Sequence, residues 1–136
     1  MTTPRIIPSD NDNCFVCGKN NPCGVAATFS RAGGKVSAEF VLARRFQGYA
    51  DIAHGGVITA LLDEAMIQAA LSEGITAVTA EIRVRFKTPL RVEEAAVVEA
   101  QLIAQGNRLI EASSRILRRT DRRVVAEASA KLIPSK

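Results

Sequence analysis

One segment of the chain, His54 to Glu73, has the length and composition of a long α-helix. Gly55 and Gly56 open it, Gly74 closes it, and most of the residues between them are strong helix formers. At about 100° per residue, its apolar side chains occupy nearly the whole circumference, which is typical of a buried helix rather than one that lies on a surface. These apolar residues are Val57, Ile58, Leu61, Leu62, Ala65, Met66, Ile67, Ala69 and Leu71.

The segments around this helix have the composition and periodicity of β-strands. Before it, Val25 to Arg31 and Lys35 to Leu42 predict a hairpin, because Gly33 and Gly34 between them permit a tight turn. After it, the run from Glu81 to Lys87 alternates charged and apolar residues, which is the period of a half-buried strand. Three further strands are predicted at Ala95 to Gln105, Arg108 to Leu117 and Val124 to Ile133.

These elements predict one α+β domain over residues 1–136, with residues 1–13 as an irregular N-terminal arm. Short turns separate the last strands, so we expect the four strands after the helix to form an antiparallel meander. One helix cannot cover a long flat sheet, so a sheet of about six strands must curl around it. Such a sheet leaves an open edge that a second subunit can extend.

The composition excludes several classes of protein. Of the 136 residues, 47% are hydrophobic and 24% are charged, which fits neither a disordered chain nor a membrane protein. A net charge of +4 favours anionic partners, but one Tyr, no Trp and no Lys/Arg run longer than two residues argue against nucleic acid. Met1 to Asp10 lack the apolar core of a signal peptide, and we therefore expect a cytoplasmic protein.

Three cysteines lie within ten residues, at Cys14, Cys17 and Cys23. An odd number of cysteines in a chain without an export signal argues against a disulfide framework. Cys14 and Cys17 have the spacing of a zinc-binding pair, but a structural zinc site needs four ligands, and His54, the single histidine, is better used elsewhere. We therefore expect thiols without a metal, and no cofactor.

The start of the predicted helix and two acids in its middle carry the candidate chemistry. The first amides of a helix have no acceptor inside it, and those of Gly55 and Gly56 can approach an oxyanion closely because no side chain intervenes. Asp63 and Glu64 lie in an otherwise apolar helix, where an unpaired charge is costly unless it is paired or functional.

Distance limits how these groups can cooperate. Gly56 and Asp63 are about 10 Å apart along one helix axis, so a single reacting group cannot touch both within one chain. Cooperation therefore requires helices from two chains packed around a two-fold axis. Structural alternatives remain open: the glycines as a sharp turn into the helix, Asp63 or Glu64 paired with an arginine at a subunit interface, and His54 as a helix-start residue that makes one hydrogen bond.

At these residues the sequence resembles the hotdog-fold thioesterase superfamily, in particular the branch of the phenylacetate-pathway and 4-hydroxybenzoyl-CoA thioesterases. The hallmark of that branch is His54-Gly55-Gly56 with an acid, Asp63, nine residues after the histidine. The resemblance extends from about residue 14 to residue 133. It also includes Cys14-Phe15-Val16-Cys17-Gly18, Asn21-Pro22, Gly24 and Gln47-Gly48-Tyr49.

The resemblance implies a hotdog fold, a curled antiparallel sheet wrapped around one long helix, and hydrolysis of an acyl-CoA thioester to a free acid and CoA. It implies that the amide of Gly55 or Gly56 polarises the thioester carbonyl. Asp63 of the neighbouring chain is then the nucleophile or the general base, Glu64 is the weaker candidate, and Thr79 orients water. The implied assembly is a homodimer or a homotetramer built from two dimers.

The chain departs from the family at Gly48, where several relatives have Asn or Gln, and this leaves a second polar contact to water or carbonyl in doubt. A basic set of residues is expected to bind the CoA phosphates, with a solvated strand face as the alternative. The set consists of Arg83, Arg85, Lys87 and Arg91. The competing function is a non-catalytic module that binds acyl-CoA; a hydratase is a further alternative.

Overall fold

The computed structural model describes residues 12–135. Its elements, in chain order, are β1 (Ser30–Ala32), β2 (Lys35–Val41), a 3₁₀ helix (Arg44–Phe46), α1 (Gly55–Ser72), β3 (Ala77–Phe86), β4 (Ala95–Gln105), β5 (Ile110–Arg118) and β6 (Val124–Pro134). The arm predicted at residues 1–13 lies outside the described residues, except for a turn at Asp12 and Asn13. None of the described helices has the length and apolarity needed to cross a membrane.

The six strands form one antiparallel sheet in the order β1-β2-β4-β5-β6-β3, and α1 packs against the five long strands. This confirms the predicted α+β hotdog fold, with a sheet curled around one long helix. α1 itself begins and ends within one residue of the prediction, with His54 and Glu73 as its cap residues.

The predicted four-stranded meander is wrong in one respect. Only β4, β5 and β6 follow one another in the sheet, while β3 pairs with β6 at its far side. The physical reason lies in the connection after β3. The Leu90 carbonyl of this connection accepts a hydrogen bond from the Ala53 amide, and the Glu93 amide donates to the Leu42 carbonyl. These two bonds carry the chain past the start of α1 to the side of β2. β4 therefore starts beside β2.

The first arm of the hairpin is also shorter than predicted, because β1 starts at Ser30 rather than Val25. Ala26 has a positive φ of 57°, which interrupts an extended strand. The amides of Val25 and Ala27 bond instead to the carbonyls of Phe15 and Val16, at 2.8 Å each. The segment before β1 is thus paired with the loop that carries the cysteines.

The core lies between one side of α1 and the inner face of the sheet. Seven residues of the helix are buried there: Ile58, Leu61, Leu62, Ala65, Met66, Ala69 and Ala70. Strand residues such as Val98, Ile110, Ile116 and Leu132 face them and are fully buried. The other side of the helix, which includes Asp63 and Glu64, is only half-buried in the single chain.

Strand β3 starts four residues earlier than predicted and contains a β-bulge. Thr79 pairs with Leu132 and Glu81 with Lys131, so Ala80 is an extra residue. Strict alternation would place Thr79 on the charged face together with Glu81. The bulge instead turns Thr79 to the face of the buried Leu132, towards α1.

Candidate active site

Asp63 of α1 and Thr79 of the edge strand β3 form a hydrogen-bonded pair. The hydroxyl of Thr79 donates to Oδ1 of Asp63 at 2.6 Å, and both residues are half-buried. A carboxylate can accept several hydrogen bonds, so this one fixes its orientation and leaves Oδ2 available to water or substrate. The structure thus brings together two of the predicted site residues.

At the start of α1, the histidine caps the helix. The imidazole Nδ1 of His54 accepts the amide hydrogen of Gly56 at 2.8 Å, and the His54 carbonyl accepts those of Val57 and Ile58 at 3.0 and 3.1 Å. Within residues 12–135, the amide of Gly55 has no acceptor. Of the two candidate oxyanion donors, Gly55 is therefore the one that the chain leaves available.

Gly55 lies against the end of the edge strand β3. A Cβ added to Gly55 would lie 3.5 Å from two ring atoms of Phe86, the last residue of β3, whose side chain is 58% exposed. Thr79 and Asp63 lie near the opposite end of the same strand. The two halves of the predicted site thus lie at the two ends of β3.

Glu64 points away from Asp63 and contacts the cysteine loop. Its Oε1 accepts hydrogen bonds from Sγ of Cys14 at 3.3 Å and from Sγ of Cys17 at 3.0 Å. Burial raises the pKa of the Cys17 thiol, and the Glu64 carboxylate raises it further. Cys23 is exposed and lies outside this cluster. The sequence did not predict this contact, because the spacing of the cysteines carries no information about a side chain 47 residues after Cys17.

Gly48 lies directly beside the helix cap. A Cβ at this position would be 3.3 Å from Cδ2 and 3.4 Å from Cα of His54. The neighbouring amide side chain of Gln47 does not take the place of the missing Asn or Gln, because its Oε1 accepts the Asp51 amide at 3.0 Å. This corner of the site therefore offers backbone only.

The predicted basic set is split into two parts. Arg83 and Arg85 line an open groove of about 750 Å³ on the sheet face opposite α1, and Lys87 is ion-paired with Glu127 of that groove at 3.2 Å. Arg91 lies elsewhere, where it forms an isolated antiparallel β-bridge with Ile52. Arg44 is the main cause of the lowered pKa of the Asp51 carboxyl, and the charge of Arg91 lowers it further. The remaining groove residues include Lys35, Glu99, Gln101, Ser113, Arg115 and Ser129.

Comparison with known protein families identifies the family of the chain. The sequence model of the thioesterase superfamily matches residues 50–125, more than half of the chain. The chain belongs to the thioesterase superfamily. The matched residues of this superfamily member include the helix cap His54, both glycines, Asp63 and Thr79. No curated protein matches the chain.

Three solved structures with the same fold illustrate the similarity. Zebra fish thioesterase superfamily member 2 is 18% identical, with a TM-score of 0.79 over 92% of this chain and 94% of that chain. The Escherichia coli PaaI protein from the phenylacetic acid degradation operon is 21% identical, with a TM-score of 0.75 over 80% and 83%. The smu.793 protein of Streptococcus mutans UA159, solved with bound acetyl-CoA, is 18% identical, with a TM-score of 0.75 over 80% and 88%.

Proposed function

We propose that this chain hydrolyses an acyl-CoA thioester to a free acid and CoA, as a homodimer in which Asp63 of one protomer faces the Gly55 amide of its partner. One observation carries the proposal. A carboxylate oriented by a hydroxyl lies near one end of an edge strand, and a helix-start amide without an acceptor in the described chain lies at the other end.

The edge strand supplies the means of bringing the two ends together. Within residues 12–135, no strand pairs with the outer edge of β3, which has ten residues. Antiparallel pairing of β3 with its two-fold copy, centred on Arg83, aligns Thr79 with the partner subunit's Phe86, because Ala80 is the extra residue of the bulge. Asp63 then approaches the partner subunit's Gly55. The same pairing covers exposed apolar surface at the strand ends, including Phe86 and Val78.

The chemistry follows from these two groups. The Gly55 amide donates to the thioester carbonyl oxygen and stabilises the negative charge that develops on it, aided by the positive end of the α1 dipole. Asp63 either attacks the carbonyl carbon or removes a proton from the water that attacks it. Collapse of the tetrahedral intermediate breaks the C–S bond, and the CoA thiolate leaves and takes up a proton. Where Asp63 is the nucleophile, the acyl group is left on its carboxylate as an anhydride, and water then hydrolyses this anhydride to release the acid and regenerate Asp63.

Other predicted residues take secondary places in this proposal. His54 positions the helix start through its bond to Gly56, and Glu64 serves the cysteine loop rather than the reaction. Arg83 and Arg85 are the proposed phosphate-binding residues, because they line the groove with exposed guanidinium groups. The bound acetyl-CoA of the Streptococcus mutans relative supports a CoA ligand. The association of two such dimers into a tetramer stays a prediction. A cytoplasmic location also stays a prediction.

The test is thiol release from a panel of acyl-CoAs by wild type and Asp63→Asn. We expect the variant to lose about 10²- to 10⁴-fold in turnover, the usual contribution of a positioned base, with its fold and dimer intact. Glu73→Gln is the matched control, because it neutralises an exposed acid at the far end of the same helix. Unchanged turnover in Asp63→Asn removes Asp63 from the mechanism.

A non-catalytic acyl-CoA-binding module is the second candidate. The observation that favours it is Gly48, which leaves the site without the amide side chain of several relatives. A thermal-shift screen against the same acyl-CoA panel separates the two functions. Stabilisation by an acyl-CoA that wild type does not hydrolyse supports binding alone.

A further inference from the structure

A second cluster of reactive side chains lies where the cysteine loop meets α1, away from Asp63 and Thr79. The sulfur atoms of Cys14 and Cys17 and a carboxylate oxygen of Glu64 all lie within 4.8 Å of one another, and all three residues are half-buried. Within the described residues, Glu64 has no ion pair with Lys or Arg. Three potential anions thus converge at a point where residues 12–135 supply no ion-paired cation.

The loop that carries the cysteines is built around the first sulfur atom. The amides of Val16 and Cys17 both point at Sγ of Cys14, at 3.4 and 3.5 Å, and the Gly18 amide bonds to the Cys14 carbonyl at 3.0 Å. The turn is too tight for a side chain at Gly18, where a Cβ would lie 2.2 Å from the Cys14 nitrogen. Two backbone donors thus hold Sγ of Cys14 in a fixed position next to the second thiol.

The helix adds a polar contact behind the second sulfur atom. Nε2 of Gln68, one turn after Glu64, lies 3.7 Å from Sγ of Cys17. Each sulfur therefore accepts at least one hydrogen bond, in addition to the one that its thiol donates to the Glu64 carboxylate. Outer contacts of this kind hold metal ligands in position and tune their basicity.

We propose that Cys14, Cys17 and Glu64 bind one zinc ion. Two thiolates and a carboxylate suit zinc, which takes tetrahedral sulfur and oxygen ligands, and the fourth position is left for water. Binding releases the two thiol protons to solvent. The ion joins the loop at residues 14–24 to the helix immediately beside Asp63. The inference does not depend on the proposed hydrolysis.

The absence of a fourth ligand argued against zinc in the sequence, and the structure changes that argument. The third ligand comes from a helix residue 47 positions after Cys17, which no local spacing reveals. A site with three protein ligands and one open position is a known type of zinc site. His54 is not needed for it.

The experiment measures metal content directly. Reduced wild type is stripped with a chelator, loaded with zinc, desalted and analysed by elemental mass spectrometry; we expect one zinc per chain. Cobalt loading should give a thiolate-to-cobalt charge-transfer band. Cys14→Ser/Cys17→Ser should abolish both signals, and Cys23→Ser, which removes a neighbouring exposed thiol, should leave both unchanged.

Glu64→Gln is the second test of the zinc site, for the case in which the double serine variant does not fold. It retains both thiols and replaces the carboxylate by an amide of the same shape. We expect it to weaken zinc binding at least about tenfold, since even outer-shell changes cost this much. The proposal is overturned by zinc-free wild type after loading, by normal zinc content in the double variant, or by a Cys14–Cys17 disulfide whose reduction restores no uptake. Zinc retained in Asp63→Asn separates this site from the hydrolytic one.

Discussion

At the first turn of α1, two adjacent glycine amides have different partners. The amide of Gly56 is committed to the His54 ring, whereas that of Gly55 finds no acceptor in residues 12–135. The sequence located both glycines but could not distinguish them, because the choice depends on the rotamer of His54. A dipeptide without side chains is equally compatible with a sharp turn and with an anion site.

Replacing Gly55 by proline removes this one donor with little disturbance. Gly55 is the first helical residue, where proline is favoured, and His54 at φ −64° and ψ 135° has the conformation preferred before proline. We expect turnover to fall about 10²- to 10³-fold, the usual cost of one oxyanion donor. Gly55→Ala is the control: it retains the N–H, and its Cβ makes only ordinary contact with Phe86. Equal rates in steady-state assays of the two variants contradict the assignment.

In the proposed reaction, the hydroxyl of Thr79 acts through Asp63, to which it donates a hydrogen bond. Thr79→Val keeps the shape of the side chain but deletes the 2.6 Å hydrogen bond. Because a hydrogen bond to a charged group contributes about 1.5–3 kcal/mol, we expect kcat to fall about 10- to 100-fold with little change in KM. Thr79→Ser retains the hydroxyl and should recover most of the rate. A loss confined to KM would assign Thr79 to substrate binding instead.

At the scale of elements, the bounds of helices and strands with a regular apolar pattern were predicted accurately, whereas those of irregular elements were not. The bounds of β4 match the prediction residue for residue, and α1 differs by one residue at each end. The predicted start of β3 is Glu81 rather than Ala77, because the bulge at Ala80 breaks the alternation that identifies a strand. The position of β4 beside β2 rather than β3 depends on backbone hydrogen bonds of the connection that follows β3, and periodicity carries no information about them.

One buried polar contact anchors α1 to the sheet beside the site. The hydroxyl of Ser114 on β5, only 5% exposed, donates to the Leu62 carbonyl at 3.0 Å, one residue before Asp63. We expect Ser114→Ala to lower the free energy of unfolding by about 1 kcal/mol, the usual net value of such a bond. Ser113→Ala, on the opposite face of β5, should change it little. Urea unfolding compares the two, and equal losses would show that the contact does not anchor the helix.

At the scale of the whole molecule, one chain encloses only part of its helix. One side of α1 is fully buried against the sheet, whereas the apolar composition of the sequence predicts burial around nearly the whole circumference. The cysteine loop covers the side of Glu64, and the side of Asp63 faces the edge strand β3. In the proposed dimer, a second subunit paired at β3 covers this remaining side. The separation of Gly56 and Asp63 along the helix led to the prediction of a partner, whereas the outer edge of β3, the surface proposed to bind it, is visible only in the fold.

Mixing two inactive variants tests whether the site is shared between subunits. In a dimer of Asp63→Asn with Gly55→Pro, the Gly55→Pro chain contributes an intact Asp63 and the Asp63→Asn chain an intact Gly55. One of the two sites is then complete. Random assortment makes half of the dimers mixed, so about a quarter of wild-type activity should return after the two variants are unfolded together and refolded.

The size of the recovery distinguishes the possible arrangements. Were Asp63 to act with the Gly55 of its own chain, every site in the mixture would carry a defect and no activity would return. The control is each variant refolded alone, which gives the background. Light scattering on the same samples confirms that dimers have formed. Recovery near a quarter requires that each site takes its carboxylate from one chain and its amide from the other.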